Sequence, residues 1–235
     1  VMEYDVLIIG GGPSGLSSAI KVKQLANAEG KDVSVCVLEK GSEIGAHILS
    51  GNVFEPTALN ELIPDWKEKE APLNSPATKD IVKFMISESA SINIPFPSFL
   101  IPTFNNHGNY VMSLANFTRW LATQAESLGV EIFPGFTAAE VIFEENVVKG
   151  VLTGEMGISK DGEKKPSYQP SMELRGKYTV FAEGCRGHLG KQLIKKFNLD
   201  ENRDPQHYGI GFKEIWDISP EDHKEGTVMH TMGWP

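Results

Sequence analysis

The feature that most limits what this chain can fold into is "DVLIIGGGPSG" at residues 5–15, with a carboxylate following at Glu39. An apolar, β-branched run that stops at clustered glycines reads as a buried parallel strand. "LSSAIKVKQLANAEG" then sets Leu16, Ala19, Ile20 and Lys23 at helical spacing, with Gly30 as the stop. "VSVCVLEK" supplies a second strand ending at Glu39. Residues 4–39 therefore spell one βαβ unit, and the fold class is α/β with a Rossmann-type nucleotide domain.

That layout carries chemistry. Gly10 permits the tight turn, Gly12 lets the backbone approach a pyrophosphate, and Gly15 lets helix and strand pack closely. The helix start offers free N–H groups and the positive end of a dipole. Glu39 can accept both ribose hydroxyls and disfavours a 2′-phosphate, which points to NAD or FAD rather than NADP. The cofactor-binding residues expected here are Ile9, Gly10, Gly11, Gly12, Pro13, Ser14, Gly15, Glu39 and Lys40. A second run of small residues, "EKGSEIGAHILSGNVFEP", adds Gly45, Ala46, His47, Ser50 and Gly51. Such a loop suits an extended FAD, although an ordinary surface loop has the same composition.

Further on, "KYTVFAEGCRGHLGKQLIKKF" reads as strand to Ala182, turn over residues 183–187, and helix from His188. A hydrophobic strand ending in an acid and a glycine occurs in FAD proteins of the glutathione-reductase-like class. Here these residues are Glu183 and Gly184. Cys36 alternates between valines and reads as core. Cys185 has no partner cysteine nearby and reads as a small packing residue. Two cysteines in all are too few for a disulfide framework or an all-cysteine iron–sulfur site. The formal net charge of -9 argues against nucleic acid, which needs a basic face.

"SLANFTRWLATQAESLGVEIF" is an amphipathic helix with Ser113 as N-cap, Leu114, Phe117, Leu121 and Leu128 as apolar face, and Gly129 as its end. "VEIF", "AEVIFEENVVKGVLT" and "SMELRGKYTVFA" read as strands, with a hairpin turn at Glu145–Asn146 and a polar loop at "SKDGEKKPS". "DPQHYGIGFKEIW" and "GTVMHTMGW" read as two strands of a second sheet. No signal-peptide layout opens the chain, and its last residues break off mid-pattern, which reads as a fragment of something longer.

Residues 89–118 contain no formally charged side chain, only the titratable His107. Pro95, Pro97 and Pro102 rule out a regular spanning helix, because each removes an amide donor. A hairpin dipping into one leaflet remains possible, with Phe96, Phe99, Leu100, Ile101 and Phe104 as its tip, and so does burial against a second domain.

The stretches "DVLIIGGGPSGLSSAIKVKQLA", "EKGSEIGAHILSG", "NELIPDWKEKEAPLNSP", "NNHGNYV", "FAEGCRGHLGKQL", "YGIGFKEIW" and "HTMGWP" together resemble the electron transfer flavoprotein–ubiquinone oxidoreductase family. The resemblance implies a glutathione-reductase-like FAD-binding domain with an inserted antiparallel-sheet, quinone-binding domain. It implies an oxidoreductase that takes electrons from reduced electron transfer flavoprotein and passes them to ubiquinone, with no catalytic side chain assigned. The 4Fe–4S cluster, a third FAD-contacting segment and part of the quinone pocket fall beyond residue 235. The boundaries expected are FAD domain at 1–88 and 113–204, membrane-contacting hairpin at 89–112, and the start of the quinone domain at 205–235. Pro95, Phe96, Phe99, Leu100, Ile101 and Phe104 fall where the family meets the membrane. Attachment would be monotopic, on the bacterial cytoplasmic membrane or the matrix side of the mitochondrial inner membrane. The competing expectations are an FAD monooxygenase or isoprenoid-lipid reductase of the same fold, and a non-catalytic nucleotide-binding module.

Overall fold

A computed structural model describes residues 1–95 and 104–234. Its elements run β1 (Met2–Ile9), α1 (Pro13–Ala28), β2 (Val35–Glu39), β3 (Asn52–Phe54), α2 (Thr57–Leu62), β4 (Ser75–Pro76), β5 (Lys79–Met85), β6 (Ser91–Asn93) and β7 (Tyr110–Met112). Then follow α3 (Leu114–Ser127), β8 (Glu131–Pro134), β9 (Ala138–Glu144), β10 (Val147–Thr153), β11 (Met156–Ile158), β12 (Lys164–Gln169), β13 (Glu173–Phe181), α4 (His188–Phe197) and β14 (Thr227–Gly233). The chain divides into two units, Val1–Ile48 with Thr118–Ile210, and Leu49–Phe117 with Gly211–Pro235.

The first unit is built on a six-stranded sheet of order β8-β2-β1-β13-β10-β9. β8, β2, β1 and β13 run parallel, and β10 and β9 extend the sheet antiparallel. β1 is central and apolar on both faces: Leu7 and Ile8 are fully buried. α1 covers one face with Leu16, Ala19, Ile20 and Lys23, the spacing its sequence predicts. The Lys23 ammonium donates to the Val33 carbonyl at 3.0 Å, so its burial leaves no charge unmatched by a polar group. On a second cluster Leu7, Ile9, Cys36, Leu38, Val151, Leu174 and Leu189 pack together.

The Glu145–Asn146 turn has φ 48° and 67°, the left-handed pair that matches the twist of a two-residue hairpin. The polar loop expected at "SKDGEKKPS" is half strand, because Lys164 opens β12, which pairs with β11 as an exposed hairpin. Its charge and its proline mark an edge strand rather than a loop. Cys185 is exposed rather than packed. Burial, followed by the nearby Glu131 charge, pushes the Cys36 thiol up to about 12, which keeps it a core residue and not a nucleophile.

The second unit holds two three-stranded sheets, β14-β5-β6 and β3-β7-β4. The first is mixed, not antiparallel: β14 runs parallel to β5, and β6 antiparallel to it. Because β5 pairs along its whole length with β14, residues 49–88 group with the end of the chain, unlike the boundary expected at 88. The stretch 204–216 carries no strand. Its alternation suits one, but it pairs with none of the described strands, and Ile210, Phe212 and Ile215 are 89%, 93% and 86% exposed.

Side chains alternate across a sheet, so paired residues share a face. Met232, Phe84 and Ile92 therefore form one row across β14, β5 and β6, and all three are exposed. Thr231, Lys83 and Asn93 form the polar row on the other face.

Leu7 tests the first unit's core, since it is fully buried and a Cβ on Gly176 of β13 would lie 2.9 Å from its own. Leu7→Ala is expected to destabilise the full-length protein by about 2–5 kcal/mol, read as a shift in the urea midpoint at unchanged slope.

Candidate functional site

The strand order of the first unit reverses beside β1. Chain leaving β1 goes to β2 and β8 on one side, then returns to β13 on the other. Ligands of open α/β sheets bind at such switch points, outside the carboxyl ends of the strands. The loops after β1 and β13 meet there. The Gly10 amide donates to the Leu38 carbonyl at 2.8 Å, and the Ala182 amide donates to the Ile9 carbonyl at 2.8 Å.

Glycine is required at two of these positions. Gly10 has φ 111°, and a Cβ there would stand 2.4 Å from the Ala182 carbonyl oxygen. A Cβ on Gly15 would stand 2.0 Å from the Gly10 carbonyl oxygen. Gly12, the N-cap of α1, has open space where its Cβ would be, so a ligand can approach its backbone. Pro13 opens the helix, where its missing N–H costs nothing.

A cleft of about 640 Å³ lies over this corner, within the range of small-molecule sites. Ile9, Gly10, Gly12, Pro13 and Ser14 line it from the first loop, and Glu39 and Lys40 from the end of β2. His47, Glu183 and Gly184 complete the expected residues that reach it. Gly11, Gly15, Gly45 and Ala46 are not among its lining residues. Gly11 acts from beneath, its amide donating to Glu39 Oε2 at 2.9 Å. Ser50 and Gly51 belong to the second unit. There Ser50 shares a hydrogen bond with Ser113, and the Gly51 carbonyl accepts from Lys213 at 2.8 Å.

Both carboxylates at the cleft are tied to backbone. Glu39 accepts from the amides of Gly11 and Gly41, at 2.9 and 2.7 Å. Those bonds fix its side chain at the end of β2, where a ribose would present its hydroxyls. Glu183 accepts from the amides of Leu189 and Gly190, at 3.2 and 2.8 Å, satisfying two of the free donors in the first turn of α4. Its carboxylate therefore shapes the turn, while Gly184, with φ 81°, lines the cleft beside it.

Arg186, Gly187 and His188 reach the cleft from the turn and helix start that the sequence marks after β13. Phe136 and Thr137, in the connection after β8, and Ala138, the first residue of β9, have no signal in the sequence. Strand order alone brings these three to the cleft, and a spacing pattern along one segment does not report strand order.

Of the apolar segment, Phe96, Phe99, Leu100 and Ile101 lie outside the described residues. Pro95 is exposed. Phe104 is half-buried and packs its ring 4.7 Å from that of His230. Among the described residues no helix is long and apolar enough to cross a membrane.

The nucleotide corner fits FAD: open backbone at Gly12, a fixed carboxylate at Glu39, and an extended cleft between them. Comparison with known proteins agrees with the fold. Residues 8–63 match an NAD(P)-binding Rossmann-like domain, and residues 208–235 match the family described as ETF-QO, ubiquinone-binding. The chain is 60% identical over 237 residues to the electron transfer flavoprotein-ubiquinone oxidoreductase of Pseudomonas aeruginosa, covering 100% of this chain and 43% of that one. It is 51% identical over 234 residues to the mitochondrial protein of the same name from Homo sapiens, covering 99% of this chain and 37% of that one. It thus spans less than half the length of the curated relatives it matches. Among solved structures, a geranylgeranyl bacteriochlorophyll reductase-like protein from Thermoplasma acidophilum shares the fold with a TM-score of 0.52 and 23% identity, over 77% of this chain and 39% of that one.

Glu39→Gln replaces a fixed double acceptor by a group that cannot accept at both ends. ADP binding to the flavin-free full-length protein is expected to weaken about tenfold or more, measured by calorimetric titration.

Proposed function

The chain belongs to the electron transfer flavoprotein–ubiquinone oxidoreductases, whose N-terminal part it matches, and we propose that it serves FAD-dependent electron transfer from reduced electron transfer flavoprotein to ubiquinone at a membrane surface. The observation that carries the cofactor half of this reading is the cleft at the switch point, with open backbone at Gly12 and a fixed carboxylate at Glu39.

FAD, when bound, supplies an isoalloxazine ring able to take up and release electrons. The chain's own residues hold and orient. The amides after β1 and in the first turn of α1 would hold the pyrophosphate, and Glu39 would accept from the ribose hydroxyls. His47 and Gly184, which line the cleft, would extend the contacts along the dinucleotide. Reduction of a quinone to its quinol takes up two protons with two electrons, and no side chain of this chain is assigned to deliver them. The chain's residues position the cofactor and exclude water.

The lipid half of the reading is supported by the second unit. The exposed row Met232, Phe84 and Ile92 is apolar, and so is the sequence of residues 95–104. β14, which contributes Met232, falls in the stretch matching a ubiquinone-binding family. A water-insoluble acceptor needs such a surface, and monotopic contact with one leaflet follows. A 4Fe–4S cluster is proposed for the length of the relatives that this chain does not span.

The full-length protein is expected to show flavin absorption bands that bleach on addition of reduced electron transfer flavoprotein and return on addition of ubiquinone. Bands that respond to NADPH and ignore reduced flavoprotein would favour a monooxygenase or an isoprenoid-lipid reductase instead. A colourless protein would refute the cofactor itself.

A further inference from the structure

The cleft does not share the acidic balance of the chain: Glu39 and Glu183 are offset by Lys40 and Arg186. The chain carries a formal net charge of -9, yet both acids at the cleft already accept two backbone N–H groups each. The cations there, Lys40 and Arg186, form no ion pair among the described residues. With its carboxylates matched and its cations unmatched, the cleft is built for an anion.

Arg186 is the better placed of the two cations. Lys40 follows Glu39, at the end where a ribose would lie. Arg186 stands in the turn between β13 and α4, and its guanidinium carbon is 4.7 Å from the centroid of the Tyr208 ring. The Tyr208 hydroxyl donates to the Cys185 carbonyl at 3.5 Å, a long bond that ties the ring to the same turn. A guanidinium resting on an aromatic face keeps its N–H fork free and loses less rotamer freedom when it binds. A planar fork suits a phosphate better than a point charge does.

We propose that Arg186, held by Tyr208, is a ligand of the dinucleotide's pyrophosphate and makes the cleft prefer a phosphorylated adenine ligand to the bare nucleoside. The inference rests on the dinucleotide reading of the cleft. It adds a contact that no glycine motif predicts, and it makes Tyr208 a positioning residue.

The test uses flavin-free full-length protein, with FAD, ADP and adenosine titrated separately. Wild type is expected to bind ADP more tightly than adenosine. Arg186→Gln is expected to weaken ADP roughly ten- to a hundredfold, the worth of a charge-assisted hydrogen bond, and to leave adenosine unchanged. Arg186→Lys should restore part of that preference, and Tyr208→Leu should lower it less than Arg186→Gln does. An unchanged ratio of ADP to adenosine affinity in Arg186→Gln overturns the proposal. So does an equal loss of both, because that pattern means the turn has collapsed and no phosphate contact was specifically removed. A wild-type protein that binds neither FAD nor ADP overturns the dinucleotide reading itself, a result distinct from either of those.

Discussion

Where β1, β13 and α1 meet, the backbones come so close that no side chain fits between them. A methyl group on Gly15 would sit 2.0 Å from the Gly10 carbonyl oxygen, and one on Gly10 would sit 2.4 Å from that of Ala182. This contact has two results. It brings the first loop and the Glu183–Gly187 turn into one cleft, and it leaves the amides at the start of α1 facing open space at Gly12. Every functional residue of the first unit takes its place from that corner. Phe136 joins through its own amide, which donates to the Glu39 carbonyl at 3.0 Å.

The electrostatics of the corner follow from the same economy of space. Carboxylates placed beside glycine-rich loops find backbone N–H groups within reach, and both Glu39 and Glu183 are held in this way. Such charge-assisted bonds are stronger than neutral ones, so the acids act as struts. The second unit uses a different principle. Its mixed sheet separates a polar row, Thr231 with Lys83 and Asn93, from an apolar one, Met232 with Phe84 and Ile92.

Much of the first unit was legible in the sequence because its signals are local. The run to Ile9, the helical spacing of Leu16, Ala19, Ile20 and Lys23, and the strand ending at Glu39 all appear where the pattern puts them. The helix beginning after Ser113 does too, with the Asn116 amide donating to the Ser113 hydroxyl at 3.3 Å. What was not legible depends on strand order or on pairing partners. Phe136 reaches the cleft only because β8 pairs with β2, beside β1. The segment 204–216 has a strand's alternation, but alternation is a preference for a pleated surface and does not create an edge to pair with. The charged start of β12 looked like loop because a strand with water on both sides has no apolar face to display.

The parallel pairing of β5 with β14 has a consequence for biosynthesis. The neighbouring hydrogen bond from Ser75 to Glu225 joins residues 150 positions apart. At roughly 5–20 residues per second, a ribosome needs on the order of ten seconds to make the chain between them. For that interval β5 has only the short β6 beside it, and Phe84 and Ile92 are in water with one edge unpaired. A nascent strand of this kind is a natural client for a chaperone. The apolar row on β5 and β6 is therefore open to aggregation before synthesis is complete.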